Sequence, residues 1–286
     1  MIPKLRSEFN ESWTDAKFRD LIRRLELRTG ATLGFPISAT PCFFPRSLMT
    51  SLAETGIDLV NQILGNADAM AAADAIVPER YRGDGAEQVP TFLQVDFGLV
   101  RSSSGVLEPK LVELQAFASL YGFQLAVAEA YRDAFGLPAS LSVYLDDLDG
   151  PTYHALVADA IVGDNDPAEV VLMEIDPRQQ KTWPDFVVTE QNFGVRAIDT
   201  SEVKREGRRL YYRRDGRVVQ IKRIYNRVIP DELEKKRIQL PFGYGDDLDV
   251  QWAGHPAWYF RISKFSIPFL RHPSVPETRF LDGIES

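Results

Sequence analysis

The sequence predicts a mixed α/β protein: a helical N-terminal part, a central antiparallel hairpin, and a small parallel sheet flanked by helices. Three observations carry this. Apolar residues recur at helical spacing before residue 65, alternating strands flank a polar turn near residue 103, and strand and helix signals alternate between 141 and 198.

Trp13, Phe18, Leu21, Ile22 and Leu25 share one helical face, which predicts a single amphipathic helix over Asn10–Arg28. Residues 34–41 hold two prolines and read as a structured linker. Pro45 opens a second helix reaching about Gly65, striped by Leu48, Met49, Leu52, Ile57, Val60 and Ile63. Residues 67–75 are small and helix-permissive. Residues 91–100 and 110–115 read as strands joined through Ser102–Gly105, and a helix over 119–135 stops at Gly136-Leu-Pro138. Then follow a strand over 141–144, a helix over 151–161, a buried strand over 169–175, a helix over 183–193 and a strand over 195–198. Asp215-Gly216 marks a hairpin joining 209–213 to 217–225, and a short helix covers 230–236. The organisation reads as residues 1–135, helical with the hairpin, 136–236, a small α/β unit, and 237–286, rich in proline and aromatics without clear period.

A chain of 286 residues with 44% hydrophobic and 26% charged residues can bury a real core, which argues against disorder. A net charge of -8 argues against broad nucleic-acid binding, which needs a concentrated basic face, though it leaves room for a local basic pocket. No window approaches the ~18 apolar residues of a membrane span, and Met1–Glu11 lacks the apolar run of a signal peptide. The one cysteine, Cys42, cannot form an internal disulfide, and its neighbours Pro41 and Phe43 predict a buried structural thiol. The chain reads as cytoplasmic, with no membrane partner.

The hairpin carries the oddest polar residues. Alternation puts Gln94 and Asp96 on one face of the first strand, and Leu111, Glu113 and Gln115 on one face of the second. Facing carboxylates repel unless solvent, a cation or a basic partner compensates, and such oxygen donors suit Mg²⁺. On spacing alone a solvated outer face with ordinary surface charges is the favoured reading. Lys222, Arg223 and Arg227 form a basic stretch near Tyr225 and Asn226. A solvated hairpin face accounts for the stretch about equally well, and Arg227 is favoured because it closes a strand before a helix, where a guanidinium can grip a carboxylate or phosphate. His154, His255 and His272 show no ligand spacing. Trp252, Trp258, Tyr259 and Phe260 read as a packed lid or satellite core.

Asp96-Phe97, followed by Leu111-Val-Glu-Leu-Gln115-Ala-Phe-Ala-Ser119-Leu-Tyr121, resembles the hairpin of the glutathionylspermidine synthetase family among the circularly permuted ATP-grasp ligases. The likeness extends in element order over much of residues 40–235, where 136–236 would correspond to a pre-ATP-grasp domain. It implies Asp96, Glu113 and Gln115 as Mg²⁺ ligands beside ATP, Ser119 as a phosphate or substrate contact, and Arg227 as the residue orienting substrate. It implies an ATP-dependent ligase that phosphorylates a small-molecule carboxylate, whose acyl phosphate an amine then attacks. Four departures stand against it. Gln94 replaces the family's arginine, Gln115 replaces an asparagine, the segment between the strands is longer, and no glycine-rich Lys-Pro…Gly loop occurs. Gly243-Tyr-Gly245 is too short for one, and Asp246-Asp247 after it would repel phosphate. The chain is therefore expected to be either the substrate-side portion of a longer enzyme, inactive alone, or a remnant serving as a binding or regulatory module. A metal-dependent hydrolase using the same carboxylates is a third possibility. As a portion of a longer enzyme, it would expose apolar residues of 237–286 and self-associate through them.

Overall fold

The computed structural model describes residues 1–83 and 85–281. The end of the 237–286 segment, residues 282–286, lies outside the described residues. In chain order the elements are α1 (Pro3–Ser12), α2 (Asp15–Thr29), α3 (Arg46–Leu64), α4 (Ala67–Ile76), β1 (Gln94–Arg101), β2 (Leu107–Gln115), α5 (Tyr121–Phe135) and α6 (Gly150–Val162). They continue as β3 (Val170–Glu174), α7 (Trp183–Phe193), β4 (Arg196–Asp199), β5 (Lys204–Glu206), β6 (Arg209–Arg214), β7 (Arg217–Ile221), β8 (Arg223–Asn226), α8 (Pro230–Lys235), β9 (Gln251–Ala253) and α9 (Ala257–Arg261). The fold is mixed α/β.

Three sheets form: the β1–β2 hairpin, a parallel sheet in the order β4-β3-β8-β9, and an antiparallel β5-β6-β7 sheet. All five residues of β3 are buried, because the parallel sheet is covered on both faces. Val171, Met173 and Ile224 face one cluster, with Tyr212, Ile221 and Trp252. Val170, Leu172 and Tyr225 face the other, against Ile161 of α6 and Phe186 and Phe193 of α7. The chain runs from β3 through α7 to β4 on one side, then returns to lay β8 on the opposite side of β3.

Several expectations change. The opening helix is two, since Thr14 turns extended and its side chain caps Lys17 N at 3.2 Å, starting α2 afresh. Residues 141–144 form no strand, and the Ser142 hydroxyl accepts from Tyr144 N within a turn instead. The strand expected over 217–225 breaks at Lys222, whose N–H donates to Glu169 O at 2.8 Å, and its second half leaves the hairpin for the parallel sheet. Cys42 is exposed, because this extended stretch turns Phe43 into the core and its neighbour outward.

The C-terminal segment supplies β9 and packs within the chain. Phe242, Trp252, Trp258, Ile267 and Leu270 are buried, while Leu240, Tyr259, Phe260, Phe265 and Phe269 are half-buried. Gly243-Tyr-Gly245 serves packing: a Cβ on Gly83 would lie 2.6 Å from Gly245 Cα and 3.0 Å from Tyr244 O, so backbone abuts backbone. Gly83→Ala is expected to cost roughly 1–3 kcal/mol through this overlap. Urea denaturation reads the loss, and an unchanged midpoint would show that the two loops part freely. No described helix is long and apolar enough to cross a membrane.

Candidate functional site

Two groups of residues meet where the hairpin runs into the parallel sheet. In the hairpin, Gln94 pairs with Gln115 and Asp96 with Glu113, with an irregularity immediately after Asp96. Directly opposed residues of an antiparallel pair share a face, so Gln94, Asp96, Glu113 and Gln115 lie together. Asp96 is exposed and borders an apolar groove of about 960 Å³ between α3 and β1. Glu113 is half-buried, and Lys264 Nζ stands 3.0 Å from its Oε2. Gln94 Nε2 donates to the Tyr121 hydroxyl at 2.7 Å, while its Oε1 is buried without a partner.

This donor set fits a hard cation. Two carboxylates and amide oxygens are what Mg²⁺ accepts, completed by water or phosphate oxygens. An orphaned buried acceptor on the same face is a place where a cation or a donor would be satisfied. Among the described residues no three His, Cys, Asp or Glu side chains gather as a metal cage, so the protein's share would be partial.

Beyond Gln115 the chain passes through Ala116–Leu120 into α5, and this exit is tied to the end of β8. Leu120 offers α5 no side-chain cap. Asp185 of α7 replaces it, its Oδ1 accepting from Phe123 N at 2.9 Å. The other oxygen, Oδ2, accepts from Arg227 Nη1 at 2.6 Å, and the same Nη1 donates to Ser119 O at 3.2 Å. Asp185 is 0% and Arg227 5% exposed. Burial pushes the Asp185 carboxyl up, opposed by the Arg227 charge beside it. Burial also works against the Arg227 cation, but Tyr225 and Asp185 raise its pKa on balance. The guanidinium lies over Phe186 at 5.2 Å and Tyr225 at 5.9 Å. Ser119 and Arg227, expected separately as site residues, are thus brought together through the Ser119 carbonyl, while the Ser119 hydroxyl makes no hydrogen bond among the described residues.

Because β3 connects onward to β4 on one side of the sheet and its neighbour β8 connects onward to β9 on the other, the crevice at the carboxyl ends of β3 and β8 is a topological switch point, where open α/β sheets place ligands. The residues there are Glu174, Asn226 and Arg227. Glu174 is 4% exposed, its Oε1 accepts from Ile175 N, and burial pushes its carboxyl up to about 8. Gln180 Nε2 donates to Ile175 O at 2.8 Å and reaches Glu232 at 3.4 Å. Asn226 Oδ1, Arg227 Nε and the Tyr244 hydroxyl are buried without partners. Such unpaired atoms at one sheet end call for a ligand or ordered water. Sequence reasoning reached Arg227 but passed over Glu174 and Asp185. An ionisable residue closing the apolar run Val170-Val-Leu-Met173 is the signal that could have found Glu174.

No family model and no curated protein matches the sequence. Among solved structures, the fold is similar to a glutathione synthetase-like effector from Globodera pallida in its apo form. That match has a TM-score of 0.55 at 13% identity, covering 92% of this chain and 67% of the other. The likeness is one of fold.

Proposed function

We propose that this chain forms the acid- and metal-binding side of an ATP-grasp carboxylate–amine ligase. The observation that carries the reading is the register of the hairpin. Asp96 stands opposite Glu113, and the strand bearing Glu113 leads directly to a segment clamped by Arg227 at the switch point. The similarity in fold to a glutathione synthetase-like effector supports it. Asp96 and Glu113 hold the ion, with Gln115 as the neighbouring amide oxygen. When bound, Mg²⁺ neutralises phosphate charge and favours transfer to the acid. Arg227 presents its unpaired Nε toward an anionic substrate group, with Ser119 fixing the approach. Glu174, protonated at pH 7, donates a hydrogen bond that an ionised carboxylate could not. The acid and amine are small molecules.

A second reading, a binding module without nucleotide chemistry, is favoured by Lys264. Its ammonium already supplies Glu113 with positive charge, as a bound ion would. Titration with Mn²⁺, read as paramagnetic broadening of backbone amides, separates the two. Under the ligase reading, broadening centres on residues 94–97 and 113–115. It is lost in Asp96→Asn and strengthened several-fold in Lys264→Ala, where the competing cation is gone. Mn²⁺ that leaves those amides sharp, with and without ATP and in Lys264→Ala too, would overturn the ligase reading in favour of the module.

A further inference from the structure

A cavity of about 560 Å³ lies between the start of the chain, α5 and residues 137–144, and neither the hairpin carboxylates nor Glu174, Asn226 and Arg227 line it. Its walls are mainly apolar, built by Leu5, Phe43, Phe123, Val127, Leu137 and Leu141. This size and lining are those of a small-molecule site. Such sites fix their ligand through a few placed polar groups, and here the strongest is Arg132.

Arg132 is exposed at the wall, and its Nη2 donates to Leu141 O at 3.2 Å. Among the described residues no carboxylate pairs with it. Nearby acids are each engaged elsewhere: Glu129 with Arg28, Asp133 with Arg24, and Asp149 with Thr152 at the start of α6. The wall segment itself is the stretch whose apolar alternation predicts a strand. It is instead held in an irregular course that ends in Asp146 and Asp147, both left-handed with φ of 51° and 58°. Aspartate tolerates this region, and Leu148 N donates to Leu145 O at 3.0 Å across the two residues, closing the wall segment in a tight turn.

We propose that this cavity binds an amphipathic monocarboxylate, its hydrocarbon between α5 and residues 137–144 and its carboxylate accepting hydrogen bonds from Arg132. A guanidinium without an anion, at an apolar chamber of this size, matches a ligand that is apolar along its length and anionic at one end.

Cys42 lines the same cavity, is exposed, and is the chain's one cysteine, so its labelling by a thiol reagent reports occupancy without any substitution. Decanoate is expected to slow labelling of the full chain in a saturable way below its micelle concentration. Decanol should protect more weakly, and decylammonium least. Arg132→Gln should shift the decanoate midpoint by about ten-fold or more, the effect of losing a charge-assisted hydrogen bond. It should leave decanol protection unchanged, which shows that the variant cavity is intact. The proposal is overturned if decanoate gives no protection, if decylammonium protects equally, or if Arg132→Gln leaves the decanoate midpoint where it was.

Discussion

Arg227→Met is expected to lower folding stability by roughly 3–5 kcal/mol, because it leaves the Asp185 carboxylate buried without its cation. Asp185 is wholly enclosed, and its two oxygens divide between the Arg227 guanidinium and the Phe123 amide. Asp185→Leu alone should cost a similar amount, stranding the guanidinium and uncapping α5. The double variant Asp185→Leu/Arg227→Met should recover much of the loss, since both charges leave the interior together. Recovery stays incomplete by about 1–3 kcal/mol, the penalty for leaving the Phe123 N–H unpaired. Urea denaturation of the four proteins closes the cycle. Two single losses that simply add in the double variant would show that the pair does not act as a unit. The tie between the hairpin exit and the parallel sheet would then need another origin.

That tie explains why the sequence showed some of the site and concealed the rest. The hairpin was legible because period-two alternation fixes faces, and one register brings Asp96 opposite Glu113. α7 was legible to the residue, with a proline in its first turn and Gly194 at φ 71° beyond its end. Asp185 was not, since an acid in the first turn of a helix reads as a solvated group favoured by the helix dipole. Nothing local reveals that the start of α5 and the end of β8 converge on it. The break at Lys222 was equally hidden: Arg217–Tyr225 is continuous in β propensity, and a tertiary hydrogen bond to Glu169 divides it. Residues 141–144 erred in the opposite direction. Alternation there had no partner strand to pair with, and alternation alone does not satisfy a backbone.

Glu174 provides the second large effect, and its sign follows from burial. Enclosure at the end of β3 pushes its carboxyl from the ordinary 4.5 up to about 8, so the folded protein holds a proton that the unfolded chain releases earlier. A folded-state pKa raised in this way gives stability that is full below about pH 4.5 and declines as pH rises toward 8. The slope is at most about 1.4 kcal/mol per pH unit for one proton. Above pH 8 both states are ionised and the decline ends. Between pH 5 and 8 the wild-type chain should therefore lose a few kcal/mol that Glu174→Gln does not lose. The amide keeps the neutral shape and an oxygen for Ile175 N, but cannot ionise. His255, whose pKa is lowered by burial, and Asp185 titrate alike in both proteins, so they cancel in the difference. The measurement is urea-denaturation stability of the two proteins at half-unit pH steps. Parallel curves would mean that Glu174 ionises at its ordinary pH, and that the end of β3 is open to solvent. A gap that widens steadily from pH 5 and levels near 8 would establish a neutral acid at the switch point, able to donate a hydrogen bond that an ionised carboxylate could not.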